Sequence, residues 1–394
     1  MTFFIRTEIN FKNTSLMSNK KKICFVVAQP GTAKSFFKDH IDRLSELFDV
    51  YLVANIKDND DLSSLKLKGS KSIPIERKPS LLTDLKSLYL IYRYFRKEKF
   101  FCVHSMASKP SLLMAIAGFA ARVPHRIRIF TGQLWCNMTG WKRLFFKTID
   151  KLTVALNTEL MVDGFPQMQY LEEQGIFKKG AAKVMAHGSI CGVDTQRFIY
   201  SENTRTIERE KLNFENNVVY IFLGRMKREK GIYELFSAMN KLVQECHNAV
   251  LLLVGSDEEN TREYLKNYSN LLDGKNVIYY GYSNTPQTLL QSADVFVMPS
   301  YREGFGMSVL EASCVHLPVI CTDIYGMRDT MIDNVTGIRC KVMDSDSLYD
   351  AMKTLYDNKE LRIEMGKKGY EYVQKYFTKE QVTEAWFEYY KNLK

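Results

Sequence analysis

The sequence predicts an α/β protein built from two doubly wound domains with a cleft between them. The chain has 394 residues, which exceeds the usual length of a single domain. Short β-rich runs alternate with helical patterns along most of the chain, as in parallel βαβ units. This alternation starts afresh at Val218, after a polar stretch, so each half is expected to form its own sheet.

The first domain is expected to be Rossmann-like and to span residues 18–195. Its β-rich runs lie at 22–28, 50–54, 101–104, 126–131 and 151–156, and its helical patterns lie at 35–47, 81–99, 111–121 and 166–174. In open parallel sheets, ligands bind beyond the carboxyl ends of the strands. The turns after these strands are therefore candidate sites.

The second Rossmann-like domain is expected at residues 217–378. It begins with a strand at 218–223 and a helix at 232–246, and its further runs lie at 250–255, 261–268, 277–280, 286–291, 295–299, 306–315, 318–321 and 338–341. Residues 196–216 are polar and lack a hydrophobic period, as is typical of an interdomain linker. An aromatic helical pattern at 379–394 is expected to pack back onto the first domain. Residues 1–17 show no clear period and are expected to be a disordered extension.

The charge of the chain is unevenly distributed. The net charge is +10, but residues 1–195 hold 30 Lys and Arg against 17 Asp and Glu, which leaves about −3 for the rest. Such a basic half indicates a polyanionic partner, such as anionic lipid or nucleic acid. The eight cysteines are scattered with no CxxC pair, which is typical of reduced thiols. Because no secretory signal and no apolar run of membrane-spanning length is present, we expect a cytoplasmic protein.

A cluster of cations follows the first strand of the second domain. The sequence GRMKREKG begins at Gly224 and contains Arg225, Lys227, Arg228 and Lys230. At a helix N-terminus, unpaired N–H groups and the helix dipole favour an anion. Arg225 could bind two oxygens of a diphosphate, and Lys230 could act as a mobile point charge. A solvated basic turn is the alternative.

A pair of carboxylates flanks a glycine-rich turn later in the second domain. In REGFGMSVLEAS, Glu303 and Glu311 are eight residues apart, and Gly304, Phe305 and Gly306 form a turn that lets backbone N–H groups approach a ligand. Both carboxylates can face one cavity, and such a pair suits a ligand rich in hydroxyl groups. A helix cap beside an unrelated surface glutamate is the alternative.

Together these motifs resemble the retaining glycosyltransferases of family 4, which have the GT-B architecture. The resemblance rests on GRxxxxKG, on the later EGFGxxxxE, and on PVIxTDxxGxxD followed by TG. The segments HSMASKPSLLMAIAGFAARVPHRIRIFTGQLW and GSICGVDTQRF are weaker matches to family members that build bacterial polysaccharide, O-antigen and capsule. The resemblance covers nearly the whole chain from Lys21 on.

The resemblance implies donor-binding roles for several residues. Arg225 and Lys230, next to Gly224, would hold the donor diphosphate, and Glu311 would bind the ribose hydroxyls. The loop after the first strand reads QPGTAKSFF instead of the double-glycine loop of relatives, but Gly31 would still admit the phosphate.

The resemblance also implies a catalytic set of Glu303, His104, Arg225 and Lys230. Glu303 and the amides of the three following residues would face the transferred sugar, and His104 would contact it from the first domain. The leaving diphosphate would help to deprotonate the incoming hydroxyl on the same face, so the enzyme mainly positions the substrates and neutralises charge. The loop after PVIxTD has RD where relatives often have a Glu, which leaves that contact open.

The substrates implied by the resemblance are a UDP-linked N-acetylhexosamine or hexose and a lipid-linked glycan. We expect no cofactor and no metal ion, because Arg225 and Lys230 supply the positive charge. The triplet Asp344, Ser345 and Asp346 matches the Asp-x-Asp metal motif of other glycosyltransferases, but it precedes a predicted helix and is assigned to capping.

Two aromatic and basic segments of the first domain, residues 81–99 and 135–147, favour peripheral contact with the inner face of an anionic membrane. Ordinary packing of these segments on the sheet is the alternative.

Two other functions are compatible with parts of the sequence. A sugar-nucleotide 2-epimerase would share the scaffold, but it needs further acid and base groups, and the six histidines are not clustered. A nucleic-acid-binding protein would suit the basic half, but no recognisable nucleic-acid motif is present and the second half is acidic.

Overall fold

Parallel β-sheets covered by helices on both faces form the core of the protein. The structure, a computed structural model, describes residues 20–76, 80–268, 271 and 275–394. The extension expected at residues 1–17 lies outside this part of the chain. The prediction of two doubly wound α/β domains is confirmed.

Within the described residues, the sheet of the first domain has seven parallel strands. They are β1 (Lys22–Val26), β2 (Asp49–Ala54), β3 (Gly69–Ser72), β4 (Cys102–Met106), β5 (His125–Phe130), β6 (Glu159–Val162) and β7 (Ala182–Val184). Their order is β3-β2-β1-β4-β5-β6-β7, so the chain order reverses between β1 and β4. Every residue of β4 is buried, as expected for a central strand covered on both faces.

Helices cover both faces of this sheet. They are α1 (Pro30–Phe36), α2 (Lys38–Leu44), α3 (Leu81–Glu98), α4 (Ser108–Ala120), α5 (Gly140–Leu156) and α6 (Phe165–Glu173). Side chains of α1 and α2 pack in one core cluster and side chains of α3 and α4 in another. Both α3 and α5 pack against α4. No helix among the described residues is both long enough and apolar enough to cross a membrane.

The run at residues 151–156, predicted as a strand, is the last part of α5. Its β-branched and apolar residues resemble a strand, but the buried carboxyl group of the residue directly before the run ties the helix to β5. Asp150 accepts hydrogen bonds from Trp135 Nε1 at 2.6 Å and from Arg128 Nη2 of β5 at 2.5 Å. The edge strands β3 and β7, which the sequence pattern does not predict, have only four and three residues.

Residues 196–216, expected to be a linker, contain helix α7 (Glu202–Leu212) and pack against the second domain. Arg205 and Arg209 form ion pairs with Asp294 at 2.6 and 3.1 Å. No residue of α7 is buried. The segment lacks a hydrophobic period because arginines attach the helix to its domain.

The second domain repeats the architecture of the first. Its described strands are β8 (Val218–Leu223), β9 (Ala249–Val254), β10 (Val277–Gly281), β11 (Val295–Met298), β12 (Val319–Thr322) and β13 (Gly337–Cys340). They are parallel in the order β10-β9-β8-β11-β12-β13, so the chain order reverses between β8 and β11. The helices are a 3-10 turn (Arg228–Lys230), α8 (Ile232–Glu245), α9 (Thr261–Leu265), α10 (Pro286–Gln291), α11 (Met307–Cys314), α12 (Ser345–Asp357) and α13 (Lys359–Tyr376).

The last helix, α14 (Lys379–Lys391), returns to the first domain and packs beside α2. Trp386, Phe387 and Tyr390 are buried there in the same core cluster as side chains of β1, α1 and α2. The core of the first domain is therefore built from two separate stretches of the chain.

Candidate functional site

The carboxyl edges of the two sheets meet at a cavity of about 330 Å³. Its walls follow strands β4, β5 and β6 in the first sheet and β8 and β11 in the second. The lining residues are Phe36, Met106, Thr131, Gly132, Asp163 and Ile190 from the first domain and Arg225, Glu229, Lys230, Arg302, Glu303, Gly304, Phe305 and Met307 from the second. This location, beside the points of strand-order reversal, is where open α/β sheets bind ligands.

Two cations of the predicted anion site line the cavity from the second domain. Arg225 follows β8, is 48% exposed, and has its Nη1 3.2 Å from Glu258 Oε2. Lys230 is more enclosed, at 13% exposure, and forms an ion pair with Glu303, which is 15% exposed. This ion pair therefore joins the basic turn and the glycine-rich turn, which are far apart in the sequence.

The basic turn is fixed against strand β11 by close backbone contacts. Gly231 has φ +70°, and a Cβ at this position would lie 2.0 Å from Pro299 O, so a glycine is required. Tyr301 N donates to Glu229 O at 2.9 Å, and Arg302 Nη2 is 3.2 Å from Glu229 Oε2. These contacts hold the basic turn beside the loop that precedes α11.

That loop supplies backbone N–H groups to the cavity wall. In the described part of the chain, the N–H groups of Gly304 and Phe305 donate to no protein acceptor. A Cβ on Gly304 would lie 2.7 Å from Gly132 N of the first domain, so glycine allows the two backbones to meet. The N-terminus of the following helix adds partial positive charge at this point.

A buried carboxyl group, Asp163, belongs to the first-domain wall. It directly follows β6 and is 2% exposed. Its Oδ1 has no hydrogen-bond partner, and its Oδ2 lies 2.8 Å from the position that a Cβ of Gly304 would occupy. Burial raises the pKa of the Asp163 carboxyl well above its usual range.

His104 does not reach the cavity, contrary to the expectation that it contacts the donor sugar. It is 1% exposed, and its ring packs against Phe25 and Trp386 with centroid distances of 5.1 and 5.2 Å. Its Nδ1 shares a hydrogen bond with the hydroxyl of Tyr390, and burial lowers the pKa of the imidazole, which is therefore neutral. Strand β4 continues for two residues beyond His104, so Met106 lines the cavity in its place.

The other predicted site residues lie at or beyond the margins of this cavity. Gly31 is exposed in the first turn of α1, with open space beside it. Glu311 lies on the second turn of α11, and burial raises its pKa to about 7, an effect that Arg197 partly offsets. Gly224 directly precedes Arg225, and Gly306 directly follows Phe305, so both glycines adjoin residues of the cavity wall. Of the predicted residues, the structure brings together at the cavity Arg225, Lys230, Glu303, Gly304 and Phe305.

Comparison with known proteins finds a family match for the second domain. The model of the family "Glycosyl transferases group 1" matches residues 204–372, which include the basic turn and the loop before α11. The capsular polysaccharide biosynthesis glycosyltransferase CapM of Staphylococcus aureus is 28% identical over 336 residues, which cover 85% of this chain and 88% of that protein. Residues 204–372, most of the second domain, are therefore similar to the group 1 glycosyltransferases.

A second curated protein and a solved structure are also similar to this chain. An Escherichia coli protein named UDP-Gal:alpha-D-GlcNAc-diphosphoundecaprenol alpha-1,3-galactosyltransferase is 26% identical over 293 residues, covering 73% of this chain and 74% of that protein. The crystal structure of HepE from Anabaena in complex with UDP-glucose has a TM-score of 0.75 at 17% identity, covering 94% of this chain and 100% of that chain. This likeness shows the GT-B fold.

The Asp-x-Asp triplet caps helix α12. Asp344 Oδ1 accepts hydrogen bonds from the backbone N–H groups of Asp346 at 3.0 Å and Ser347 at 2.9 Å. The side chain of Asp346 forms an ion pair with Lys241. Over the residues that the structure describes, no group of three or more His, Cys, Asp or Glu side chains is arranged to hold a metal ion.

Sequence reasoning missed three charged residues of the cavity wall, Glu229, Arg302 and Asp163. Arg302 stands next to Glu303 in the recognised motif, and its Nη1 donates to the carbonyl oxygen of Gly132 at 3.2 Å. Asp163 begins an Asp-Gly pair directly after a short apolar run, which is a signal for the carboxyl end of a strand. That signal is lost when the strand is placed at 151–156.

Proposed function

We propose that this protein is a glycosyltransferase that moves a sugar from a nucleoside diphosphate sugar to a hydroxyl of a lipid-linked glycan, with retention of configuration at the anomeric carbon. One observation carries the proposal: the side chains of Arg225 and Lys230 and the unpaired N–H groups of Gly304 and Phe305 converge on one interdomain cavity. The printed names of relatives support it, since the E. coli relative is named for UDP-Gal and a diphosphoundecaprenol acceptor, and HepE was crystallised with UDP-glucose.

In the proposed complex, the donor diphosphate takes the place of Glu303 beside Lys230. Both side chains of this ion pair are partly desolvated, at 13% and 15% exposure. The diphosphate offers Lys230 and Arg225 a stronger anion, and the free N–H groups complete its hydrogen bonds. Glu303 is thereby released to accept hydrogen bonds from hydroxyls of the transferred sugar. Until the donor binds, the ion pair holds both side chains at the cavity.

The proposed reaction breaks the bond between the anomeric carbon and the phosphate oxygen. Negative charge then develops on the leaving diphosphate, where Arg225, Lys230 and the backbone N–H groups stabilise it. The acceptor hydroxyl attacks from the same face, and its proton passes to the leaving phosphate oxygen, so the configuration is retained. In this scheme the protein's cations meet the developing charge, and we propose that neither a divalent cation nor a cofactor is needed.

The nucleoside is proposed to bind on the side of α11 away from the sugar. Glu311 is partly buried, and desolvation raises the pKa of its carboxyl group to about 7. We propose that the ribose hydroxyls of a UDP-linked hexose or N-acetylhexosamine donate hydrogen bonds to this carboxylate, which relieves the cost of its burial.

We propose that the first domain binds peripherally to the cytoplasmic face of an anionic membrane, where a lipid-linked acceptor would lie. Large apolar side chains, which we call the apolar rim, are 54–82% exposed near the N-terminal ends of α3 and α5: Leu81, Leu82, Leu85, Trp141, Leu144 and Phe145. Helices that follow parallel strands begin at the carboxyl edge of the sheet, so the apolar rim lies at the edge that also holds the cavity. Aromatic and apolar side chains beside cations suit an anionic lipid interface.

The products the enzyme helps to assemble are proposed to be cell-surface polysaccharides, such as capsule or O-antigen. The relative CapM carries capsular polysaccharide biosynthesis in its name. The experiment is to incubate the purified protein with a panel of UDP-sugars and with lipid-linked glycan acceptors, and to measure UDP release and the anomeric configuration of the product by NMR.

The expected result is transfer from one preferred donor to a lipid-linked acceptor, with the anomeric configuration of the donor. Arg225→Ala serves as the low-activity control. Interconversion of the UDP-sugar without an acceptor would instead identify an epimerase, and a product of inverted configuration would contradict the retaining mechanism.

A further inference from the structure

Asp163 is a buried carboxyl group of the cavity wall to which the proposed chemistry gives no role. Its backbone is fixed on both sides: its N–H donates to Gln167 Oε1 at 3.2 Å, and its C=O accepts from Ser189 N at 2.7 Å. Neither bond uses the carboxyl group, and Oδ1 remains buried without a partner. Buried polar groups are nearly always hydrogen-bonded, and because Asp163 lies in the cavity wall, a bound ligand can supply the partner that its carboxyl group lacks.

The surroundings restrict the chemistry of that ligand. An ionised Asp163 would repel a diphosphate. Arg302, the cation of the same cavity to which the proposed donor is not assigned, is paired with Glu229. A hydroxyl group can donate to a carboxylate or accept from the protonated acid, so it satisfies Asp163 in either form. Sugars present several such hydroxyls at close spacing.

The position of Asp163 places this hydroxyl at the meeting point of the two domains. Asp163 belongs to the first domain, yet its Oδ2 faces Gly304 of the second, 2.8 Å from where a Cβ of that glycine would be. The proposed function, on which this inference rests, places the transferred sugar at Glu303, next to Gly304, and the acceptor at the first domain.

We propose that Asp163 forms a hydrogen bond with a sugar hydroxyl where donor and acceptor meet, and so aligns the two substrates for transfer. The hydroxyl belongs either to the transferred sugar or to the acceptor glycan. The chemistry of recognition is the same in both cases, and the experiment separates them.

The test compares wild type, Asp163→Asn and Asp163→Ala on complete substrates and on panels of monodeoxy donors and monodeoxy acceptors. With complete substrates, kcat/KM of Asp163→Ala is expected to fall by roughly 10- to 100-fold, because a desolvated hydroxyl of the substrate loses its hydrogen-bond partner. Asp163→Asn, which keeps an accepting oxygen, falls less. With the wild type, one monodeoxy analogue is expected to lower kcat/KM by the same factor relative to the complete substrate. Asp163→Ala is expected to give the same kcat/KM with that analogue as with the complete substrate. A deoxy donor with this behaviour assigns the hydroxyl to the transferred sugar, and a deoxy acceptor assigns it to the glycan.

Asp329→Asn is the matched control for a role in domain contact alone. Asp329 Oδ2 accepts from Phe165 N at 2.8 Å across the same domain boundary, but Asp329 does not line the cavity. This variant is expected to treat all analogues in the same proportions as wild type.

Two results overturn the inference while the proposed function stands: wild-type kcat/KM in both Asp163 variants, or equal losses with every analogue. Should Asp163→Ala fail to fold, Asp163→Asn decides by the same comparison of analogues. A wild-type protein that transfers no sugar at all overturns the proposed function and this inference with it.

Discussion

Glu311 is a residue at which stability and donor binding are expected to change in opposite directions. Burial raises the pKa of its carboxyl group from 4.5 to about 7 in the folded protein. Each unit of pKa difference corresponds to about 1.4 kcal/mol. At pH 8, ionised Glu311 therefore lowers the free energy of unfolding of the donor-free protein by about 3 kcal/mol relative to an uncharged group.

The sign of the pH dependence follows from the order of the two pKa values. Because the pKa is higher in the folded than in the unfolded state, folding takes up a proton between pH 4.5 and about 7. The free energy of unfolding falls as the pH rises through this window, and the loss is complete above it. Glu311→Gln removes this titration, so the variant should match wild type near pH 4.5 and exceed it in stability at pH 8.

The assay is urea unfolding of both proteins, without donor, at the two pH values. UDP binding at pH 8, measured by calorimetry, should weaken roughly tenfold in Glu311→Gln, because the ribose hydroxyls lose a charged acceptor. Glu371→Gln, an exposed change on α13, is the control and should stay within about 0.5 kcal/mol of wild type at both pH values. A Glu311→Gln variant no more stable than wild type at pH 8 would refute the argument from burial.

Three further outcomes follow from the site. Arg225→Ala and Lys230→Ala should each lower kcat/KM for transfer about 10- to 100-fold with an unchanged fold, because each loses a charge-assisted phosphate contact. Wild-type rates in both variants at subsaturating donor would contradict the assignment of these residues to the diphosphate. Transfer should continue in EDTA, and dependence on added manganese or magnesium would contradict the proposed charge neutralisation. The protein should sediment with anionic vesicles at low salt and be released at high salt. The triple variant Trp141→Ala, Leu144→Ala, Phe145→Ala should bind the vesicles more weakly while still using a soluble acceptor. A wild-type protein that does not bind such vesicles at low salt would contradict membrane contact.

The parts of the site that could be predicted from the sequence are those whose functional residues lie together in one short segment. Arg225 and Lys230 follow a buried strand directly, and Glu303 to Phe305 follow another, so a correct strand assignment places both groups at one edge. The pairing of Lys230 with Glu303 lies outside such reasoning, because it depends on how two separate turns pack.

The parts that could not be predicted depend on where a strand ends and which face a side chain takes. His104 is two residues short of the end of β4, and this offset puts its ring in the core instead of the cavity. Asp163 could not be predicted as a site residue, because the apolar end of α5 resembles a strand and strand β6, which it follows, has only four residues. In both cases long-range packing, such as the contacts of Asp150 with β5, decides between alternatives that local propensity leaves equal.

The return of α14 to the first domain affects how this enzyme can be recombined with its relatives. Trp386, Phe387 and Tyr390 come from the end of the chain, yet they fill the core beneath α1 and α2. A hybrid enzyme that joins the first half of this protein to the second half of a relative at a single crossover would pair that core with a foreign helix. Exchange of acceptor specificity by recombination therefore requires two crossovers, one near residue 195 and one before Lys379, so that the helix is inherited with the domain it completes.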